Sequence, residues 1–409
     1  MIDKNLSPTY CHYPFHEIAM KLFSKGKLFT FWPCCIMGIK VEGDSNDYSY
    51  LNRLGISNAH ELTPQEMYDH PSMQKLREDA VNGVRNPACK TCWILEDKGI
   101  SSYRQFSNST YHPAEPGLSV VDITLSNICN LQCRMCDARA SNLLMKDHKF
   151  FKENNLLDRL YKVNTKWPES SYSDAASSPQ IEWILNNTDK IKVIKATGGE
   201  PFYDPHMIGL LKKYIETGTA KNVSLLFHTN ATMFTDEIID ILNQFKLNNH
   251  TFSIDGTEKV YEYIRHPWKF KDLEDSVRRY IKNVKNHSDF YNFNFVLTAH
   301  NVLNASEYIE WIHSLTDKKV HITFAQVNPH DRGISLQHLP LYLLELAKNK
   351  LSNIDTKLVE NLLNQIDYAI QNNKENKFLI KEETELFDMS RNQSYKDFLD
   401  PALVEYLST

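Results

Sequence analysis

Apolar residues from about position 119 onward follow two alternating periods. Short β-rich runs are separated by stretches whose apolar residues recur every three to four positions, which is the pattern of amphipathic helices. The β-rich runs predict strands at Val120–Leu125, Ile191–Ala196, Val223–His228, Thr251–Asp255, Asn294–Thr298 and Val320–Gln326. The amphipathic stretches predict helices that include Met207–Glu216, Asp236–Phe245, Leu273–Lys285 and Ser306–Leu315.

This alternation predicts the fold class and the domain layout. Strands that are joined by helical crossovers pair in parallel, so we expect an α/β fold. Six repeats are too few for a closed barrel of eight strands, and an open, partial (β/α)6 barrel over residues 118–335 is the better prediction. Residues 1–117 form a small cysteine-containing domain in this interpretation, and residues 336–409 form a helical C-terminal extension. Helices in the extension are predicted at Leu341–Leu351, Thr356–Asn372 and Tyr395–Tyr406.

Composition narrows the class of protein. The 409 residues are 42% hydrophobic and carry a formal net charge of -5, which gives no electrostatic reason to expect a nucleic-acid partner. The N-terminus lacks the pattern of a signal peptide, and no run approaches the ~18 apolar residues that a membrane span needs. We therefore expect a soluble, cytoplasmic protein with no membrane partner.

The eight cysteines all lie in the first third of the chain. In a reducing compartment, clustered cysteines indicate metal or redox chemistry rather than disulfides. Cys129, Cys133 and Cys136 form a CxxxCxxC motif directly after the first predicted strand. Thiolates usually hold all four irons of a [4Fe-4S] cluster, so three close thiolates would leave one iron with an open position.

A second motif follows the second predicted strand, where Gly198, Gly199 and Glu200 precede Pro201. Two glycines allow the backbone to approach a ligand closely, and the carboxylate beside them can accept from an ammonium group. A tight turn is the alternative reading of this motif. Because parallel strands end at one face, where ligands bind in βα folds, we expect the cysteines and Glu200 to face the same ligand.

The two motifs in this order resemble the radical S-adenosylmethionine (radical SAM) superfamily. The resemblance implies that Cys129, Cys133 and Cys136 hold a [4Fe-4S] cluster whose open iron chelates the amine and carboxylate of SAM. Reduction would cleave the sulfonium and give a 5′-deoxyadenosyl radical, which abstracts hydrogen from a substrate. Gly198, Gly199 and Glu200 would hold the methionine amine.

Later strand ends extend the resemblance. The run Ser253-Ile254-Asp255-Gly256, followed by Arg265, is similar to a motif of family members with auxiliary clusters. It implies that Ser253 and Arg265 bind the SAM carboxylate or ribose, whereas a turn and a solvated arginine are the alternative. Asn230 ends the third strand and is a further candidate ligand to SAM, with ordinary strand-end capping as its alternative.

A second group of thiols comprises Cys11, Cys34, Cys35, Cys89 and Cys92. A CxxC motif plus a distant cysteine pair suits either zinc or an iron–sulfur cluster. The run from Cys89 to Arg104 resembles the cluster-binding segments of twitch/SPASM-type radical SAM proteins, although those segments usually follow the barrel. The resemblance implies an auxiliary iron–sulfur cluster. Structural zinc, and a merely buried Cys11, remain as alternatives.

The predicted function is that of a radical SAM enzyme, an oxidoreductase or a modifying enzyme, with an auxiliary cluster that aids oxidation or substrate binding. A peptide or protein side chain is the preferred substrate, and a small molecule such as a sugar or cyclitol is the alternative. The implied partner is a reductant such as flavodoxin or ferredoxin. A non-catalytic iron–sulfur or zinc-binding module is the alternative from another class.

Overall fold

The computed structural model describes residues 7–23, 28–34, 37, 53–56, 59–99, 101–110, 115–164 and 178–409. The chain divides into two compact units, each assembled from several segments. The first contains residues 1–126, 173–197 and 206–226, and the second contains residues 127–172, 198–205 and 227–409. The division into domains at 1–117, 118–335 and 336–409 stays a prediction. No helix among the described residues is both long and apolar enough to cross a membrane.

Nine strands and sixteen α-helices are present in the described residues. The strands are β1 (Glu17–Phe23), β2 (Leu28–Trp32), β3 (Val120–Ile123), β4 (Val193–Ala196), β5 (Ser224–Thr229), β6 (Leu247–Asn248), β7 (Thr251–Ser253), β8 (Phe290–Leu297) and β9 (Lys319–Gln326). The first eight helices are α1 (Pro64–Tyr68), α2 (Pro71–Val81), α3 (Lys90–Asp97), α4 (Tyr103–Thr110), α5 (Leu144–Glu153), α6 (Leu157–Val163), α7 (Pro179–Asn186) and α8 (Pro205–Glu216). The remaining helices are α9 (Asp236–Leu242), α10 (Glu258–Ile264), α11 (Phe270–Asn283), α12 (Ala305–Leu315), α13 (Leu341–Lys350), α14 (Thr356–Gln371), α15 (Lys377–Arg391) and α16 (Pro401–Ser408).

In the first unit, β1 is the strand that joins the N-terminal segment to the later strands. It pairs antiparallel with β2 on one side and parallel with β3 on the other, and β3 pairs parallel with β4. Two ion pairs also link these strands. Lys21 of β1 pairs with Asp122 of β3, and Lys195 of β4 pairs with Glu17 of β1. The N-terminal segment therefore contributes directly to the sheet of this unit.

In the second unit, the end of β5 pairs parallel with β7, and β7, β8 and β9 continue in parallel order. Alternation in sequence explains β8, whose residues Tyr291, Phe293, Phe295 and Leu297 are all buried while the residues between them are only partly buried. The six predicted strands are all present, in the predicted order. The predicted α/β class of a partial (β/α)6 barrel is confirmed.

Amphipathic helices cover these strands. In α11, the residues Phe270, Leu273, Val277 and Tyr280 are buried at helical spacing, and charged residues occupy the other face. The helix α9 begins at a threonine cap, because the side chain of Thr235 accepts from the backbone N–H of Ile238. The C-terminal extension contains one helix that was not predicted, α15, which carries charged residues on its buried side.

Candidate active site

The three cysteines of the CxxxCxxC motif lie on one loop after β3, which we call the cluster loop (residues 127–142). Cys129 and Cys133 are 8% exposed, and Cys136 is partly buried. Burial, together with the neighbouring Cys133, raises the pKa of the Cys129 thiol to about 12. Burial also raises the pKa of Cys136, with further contributions from Cys133 and Cys129. The three thiols are therefore buried or partly buried, and they are close enough to interact electrostatically.

Hydrogen bonds to neighbouring segments fix the shape of the cluster loop. The backbone N–H of Gln132 donates to the carbonyl of His266 at 2.7 Å, and that of Arg134 donates to Ile264 at 2.9 Å. Within the loop, the hydroxyl of Ser141 donates to the carbonyl of Leu131 at 2.6 Å. A loop held at both its ends and its middle presents its three thiols in one arrangement.

This donor set fits a cluster better than a single ion. No three His, Cys, Asp or Glu side chains in the described ranges converge on a position that would hold one metal ion. A cubane cluster takes each thiolate on a different iron, whereas a zinc ion takes all its ligands on one centre. Three thiols on one loop match three irons of a [4Fe-4S] cluster and leave its fourth iron without a thiolate from this loop.

The two glycines after β4 pack directly against the cluster loop. Gly198 and Gly199 have φ values of 82° and 53°, in the left-handed region that favours glycine. A Cβ atom on Gly199 would lie 2.4 Å from the carbonyl oxygen of Ile128. The next residue, Glu200, donates its backbone N–H to the same carbonyl at 2.8 Å. Glycine is therefore required at Gly199 by the approach of this turn to the cluster loop.

The carboxylate of Glu200 connects its own turn to the end of β5. It is 1% exposed, and its Oε1 atom accepts from the hydroxyl of Thr229 at 2.7 Å and the N–H of Phe202 at 3.1 Å. Its Oε2 atom accepts from the N–H of Asn230 at 2.6 Å. Burial raises the pKa of Glu200 to about 7, although these hydrogen bonds oppose the shift. A carboxylate has about four lone-pair positions, so roughly one remains for a ligand.

Asn230 joins the end of β5 to the cluster loop. Its Nδ2 atom donates to the side-chain oxygen of Asn130 at 2.8 Å and lies 4.0 Å from the Sγ atom of Cys129. Its Oδ1 atom accepts from the hydroxyl of Thr232 at 2.6 Å. The predicted ligand to SAM thus lies beside a cluster cysteine, and its own polar atoms are already hydrogen-bonded within the chain.

Arg265 also contacts the cluster loop. Its ion-pair partner is Asp255, a residue of the same sequence motif, although the sequence did not show the contact. The Nη1 atom of Arg265 lies 3.7 Å from the Sγ atom of Cys133, and its Nε atom donates to Asp255 at 2.6 Å. Asp255 is fully buried and accepts from the N–H of Val296 at 2.7 Å. Burial opposes the charge of Arg265, but Asp255 and Cys133 outweigh this effect and raise its pKa. Ser253 lies at the end of β7 and is partly exposed.

The C-terminal extension supplies site residues that sequence reasoning missed. Arg134, between the second and third cysteines, is 1% exposed and donates to Asp388 of α15 at 2.6 Å. Its guanidinium group lies 3.5 Å over the ring of Tyr263, whose hydroxyl also donates to Asp388. The unusual arginine inside a cysteine motif was the only sequence signal for this contact.

Two further ion pairs bind the extension to this region. Arg332 pairs with Glu383 of α15 at 2.6 Å and also donates to the carbonyl of Arg134. Arg391 of α15 pairs with Asp147 of α5 at 2.9 Å. All four side chains are at most 3% exposed, so α15 contacts the cluster loop and its neighbours through buried charges.

The second group of thiols lies in the first unit. Cys11 and Cys92 are buried, and Cys89 is partly buried. Burial raises the pKa of Cys11, and Cys89 and Cys92 raise it further, so these three thiols are neighbours. Cys34 is partly buried, and the carbonyl of Cys34 accepts from the N–H of Met37 at 3.4 Å. Cys35 lies outside the described residues.

A buried ion pair stands beside these thiols. Arg104 pairs with Glu96 at 2.6 Å, both being less than a tenth exposed, and its guanidinium group lies 4.9 Å over the ring of Trp93. Burial raises the pKa of Cys92, and the backbone N–H of Arg104 opposes this shift by favouring the thiolate. The predicted run from Cys89 to Arg104 therefore forms one connected polar cluster.

Comparison with known proteins places the first group of motifs in a family. The family model described as the Radical SAM superfamily matches residues 123–309, which include the cluster loop, Glu200, Asn230 and Arg265. No curated protein matches the chain.

Solved structures provide fold-level likenesses. They include native anSMEcpe with bound AdoMet, at 17% identity and a TM-score of 0.40 over 61% of this chain and 62% of that one. Streptococcus suis SuiB bound to the precursor peptide SuiA has 14% identity and a TM-score of 0.37 over 80% of this chain and 61% of that one. The methyltransferase TsrM from Kitasatospora setae, with cobalamin and a [4Fe-4S] cluster bound, has 14% identity and a TM-score of 0.33 over 51% and 36%.

Likeness at this level says nothing about activity, and this chain spans only 62% of the length of anSMEcpe. The family match is more specific, because it covers all three cysteines of the cluster loop and the strand ends around them. The chain therefore contains a segment, residues 123–309, that matches the radical SAM superfamily.

Proposed function

We propose that this chain is an enzyme that reductively cleaves SAM and abstracts hydrogen from a peptide or protein side chain. The observation that carries the proposal is the arrangement of Cys129, Cys133 and Cys136 on one loop, with the first two buried and the third partly buried. A guanidinium nitrogen of Arg265 lies 3.7 Å from the Sγ atom of Cys133. When bound there, a [4Fe-4S] cluster supplies the electron and an open iron that chelates SAM. The proposed electron donor is a flavodoxin or ferredoxin.

The residues around the cluster loop hold the neighbouring segments in place. Glu200 holds its own turn to the end of β5 through hydrogen bonds with Thr229, Asn230 and Phe202, and Gly199 allows this turn to touch the cluster loop. We assign the methionine amine of SAM to Gly198–Glu200, where about one lone-pair position of the carboxylate remains. The hydroxyl of Ser253 at the end of β7 is assigned to the SAM carboxylate or ribose.

We assign two roles to Arg265. Its charge lies beside Cys133, where it favours the thiolate form that a metal requires. Asp255 orients the guanidinium group from its Nε side and leaves its Nη1 side toward the site. Arg265 is therefore assigned to stabilise the cluster's thiolates and to contact SAM from the same side.

The preference for a peptide substrate rests on a cavity of about 590 Å³ beyond the end of β9. Its lining includes the carboxamides of Gln326, Asn328, Gln337, Gln365 and Asn372. A carboxamide offers both a donor and an acceptor, as a peptide group does, so such a lining complements a peptide backbone. A sugar or cyclitol also presents donors and acceptors, and it is the second candidate that the experiments must separate.

An auxiliary iron–sulfur cluster is assigned to Cys11, Cys89 and Cys92, with Cys34 or Cys35 as a further ligand. Mutual electrostatic effects among the first three thiols support the assignment. The N–H of Arg104 beside Cys92 also supports it, because hydrogen bonds to sulfur stabilise a thiolate. Iron analysis separates the alternatives: two [4Fe-4S] clusters bring about eight irons per chain, and one brings about four.

The test of the proposed function is anaerobic reconstitution with iron and sulfide, followed by dithionite and SAM. The reconstituted chain should release 5′-deoxyadenosine, and the Cys133→Ala variant should release none. A peptide substrate labelled with deuterium should transfer the label into 5′-deoxyadenosine. Absence of 5′-deoxyadenosine from a chain that has taken up iron and sulfide would contradict the enzyme assignment and favour a non-catalytic module.

A further inference from the structure

The residues that line the cavity beyond β9 indicate which kind of ligand it could bind. It is lined by Gln326 at the end of β9, by Asn328 and Gln337 in the loop that follows, by Gln365 and Tyr368 of α14, and by Lys374. We call it the β9 cavity. Its lining includes no Asp or Glu. The cation of Lys374 therefore faces a cavity without a carboxylate of its own.

Gln337 is the observation that points to a ligand. The residue is only 5% exposed, yet its carboxamide lines the β9 cavity and makes no hydrogen bond to any residue that the structure describes. Its carboxamide atoms are not among the buried, unpartnered atoms of the described residues, so they are open to the cavity, where water or a ligand can hydrogen-bond to them. Its own backbone carbonyl is already used, because it accepts from the N–H of Lys374 at 2.8 Å.

Lys374 supplies the charge. Its ammonium group forms no ion pair and no hydrogen bond with any residue in the described ranges, in contrast to Lys348 and Lys350, which pair with Asp367 and Asp400. A lysine is a compact, mobile cation that pairs with single carboxylates. Lys374 is exposed, and the backbone contact between Lys374 and Gln337 places the two residues side by side in the lining of the cavity.

The other walls are already ordered by their own contacts. Gln326 donates its Nε2 hydrogens to the backbone and side-chain oxygens of Gln365, at 2.7 and 2.9 Å. The ring of Tyr368 is 55% exposed, so an apolar surface is also offered. A preformed wall of amides, one aromatic face and one cation match a peptide segment better than a uniformly polar or apolar molecule.

The same loop also reaches the cluster region. Arg332, four residues after Asn328, donates to the carbonyl of Arg134 in the cluster loop. A Cβ atom on the adjacent Gly333 would lie 2.4 Å from the carbonyl oxygen of Leu379, so the loop is pressed against α15. The β9 cavity and the cluster loop are thus connected by one short, well-anchored segment.

We infer that the β9 cavity binds an acidic residue of the peptide substrate, with Lys374 pairing its carboxylate and Gln337 hydrogen-bonding the adjacent peptide group. This inference rests on the proposed function and specifies its substrate class. The acidic residue serves for recognition, and hydrogen is abstracted elsewhere on the peptide.

The test uses the reconstituted full chain with SAM and three blocked tripeptides, acetyl-Gly-Glu-Gly-methylamide and its Gln and Lys counterparts. Isothermal titration should give the tightest binding for the Glu peptide. The Lys374→Met variant should weaken that binding about tenfold and abolish the preference over the Gln peptide. Gln337→Leu should weaken the Glu and Gln peptides alike. The matched control is Lys282→Met, because Lys282 is an exposed lysine on α11 and should leave binding unchanged.

Two outcomes overturn the inference: equal binding of the Glu and Gln peptides, or binding of maltotriose in place of the peptides. Release of 5′-deoxyadenosine from SAM is measured on the same preparations. Binding of the Glu peptide without 5′-deoxyadenosine contradicts the proposed function alone. Release of 5′-deoxyadenosine without a preference for the Glu peptide contradicts this inference alone.

Discussion

The guanidinium group of Arg134 donates a hydrogen bond of 2.6 Å to the carboxylate of Asp388, although the two residues lie 254 positions apart in the chain. Arg134 belongs to the cluster loop and Asp388 to α15. Both are buried, so the ion pair holds the C-terminal extension against the loop that carries the three thiols. The extension is therefore part of the candidate active site.

Asp388→Ala should destabilise the chain through this pair. It leaves the buried charge of Arg134 without its anionic partner, which costs about 3–5 kcal/mol of unfolding free energy. The double variant Arg134→Met/Asp388→Leu should recover much of that loss, because it removes both charges. Urea unfolding of the metal-free chain measures the effect, and iron uptake should fall in parallel. Asp275→Ala is the control, since its exposed pair with Lys271 contributes only about 0.5 kcal/mol. Additive effects of the two single substitutions would contradict this coupling.

Gly199→Ala should disrupt the cluster loop. The new Cβ atom would lie 2.4 Å from the carbonyl oxygen of Ile128, and the backbone φ of 53° is strained for alanine. We expect a loss of about 1–3 kcal/mol in unfolding free energy and reduced iron uptake. Gly209→Ala is the control and should instead raise the unfolding free energy. Nothing lies within 4 Å of its Cβ position in α8, and alanine stabilises a helix by about 0.5–1 kcal/mol relative to glycine. Equal effects of the two substitutions would refute the close-contact explanation.

His250 should make the stability of the chain depend on pH. Burial lowers the pKa of His250 to about 3, and its Nδ1 atom accepts from the N–H of Phe227 at 3.2 Å. Since an unfolded histidine titrates near pH 6.5, the unfolded chain binds the extra proton first as pH falls. This contribution to stability is complete above about pH 6.5 and is lost toward pH 3, at about 1.4 kcal/mol per pH unit.

The variant His250→Asn keeps an oxygen acceptor for Phe227 but does not titrate. Between pH 7 and pH 5, it should therefore lose about 2 kcal/mol less unfolding free energy than the wild type. Denaturant unfolding at the two pH values measures this difference. Parallel pH profiles for the two proteins would show that His250 is not a source of acid sensitivity.

Arg265 and Asp255 should shift the potential of the bound cluster in opposite directions. Arg265→Met removes a positive charge 3.7 Å from the Sγ atom of Cys133, so reduction should become harder by on the order of 100 mV. Asp255→Asn removes the opposing negative charge and should raise the potential. A redox titration followed by electron paramagnetic resonance measures both. Shifts of the same sign would indicate that the substitutions act through disturbed structure rather than through charge.

The sequence predicted much of the fold, because alternation is a local signal. All six predicted strands are present, and so are helices such as α11 and α14. The strand β1 was missed, since its place beside β3 depends on pairing between distant residues rather than on its own pattern. The helix α15 was missed because Glu383, Asp388 and Arg391 interrupt the apolar residues Ile380, Leu386 and Phe387 on its buried side.

The candidate site divides in the same way. Motif spacing indicated the three cysteines, Glu200 and Arg265. The cysteines lie on the cluster loop, Glu200 and Arg265 lie beside it, and all five residues belong to the second unit. Their polar partners were not visible, because an ion pair such as Arg265 with Asp255 can be recognised only from distances. The carboxylate of Glu200 was expected to face a ligand. In the structure, three of its acceptor positions are occupied by hydrogen bonds from Thr229, Asn230 and Phe202.

The proposed function requires that the cluster loop hold a [4Fe-4S] cluster with one open iron that binds SAM. The most direct test is electron paramagnetic resonance of the reduced cluster with and without SAM, in a Cys89→Ala/Cys92→Ala variant that leaves only the cluster-loop site intact. We expect a cluster signal that changes when SAM is added and that is absent after Cys133→Ala. A cluster signal that SAM does not alter would contradict the proposed function.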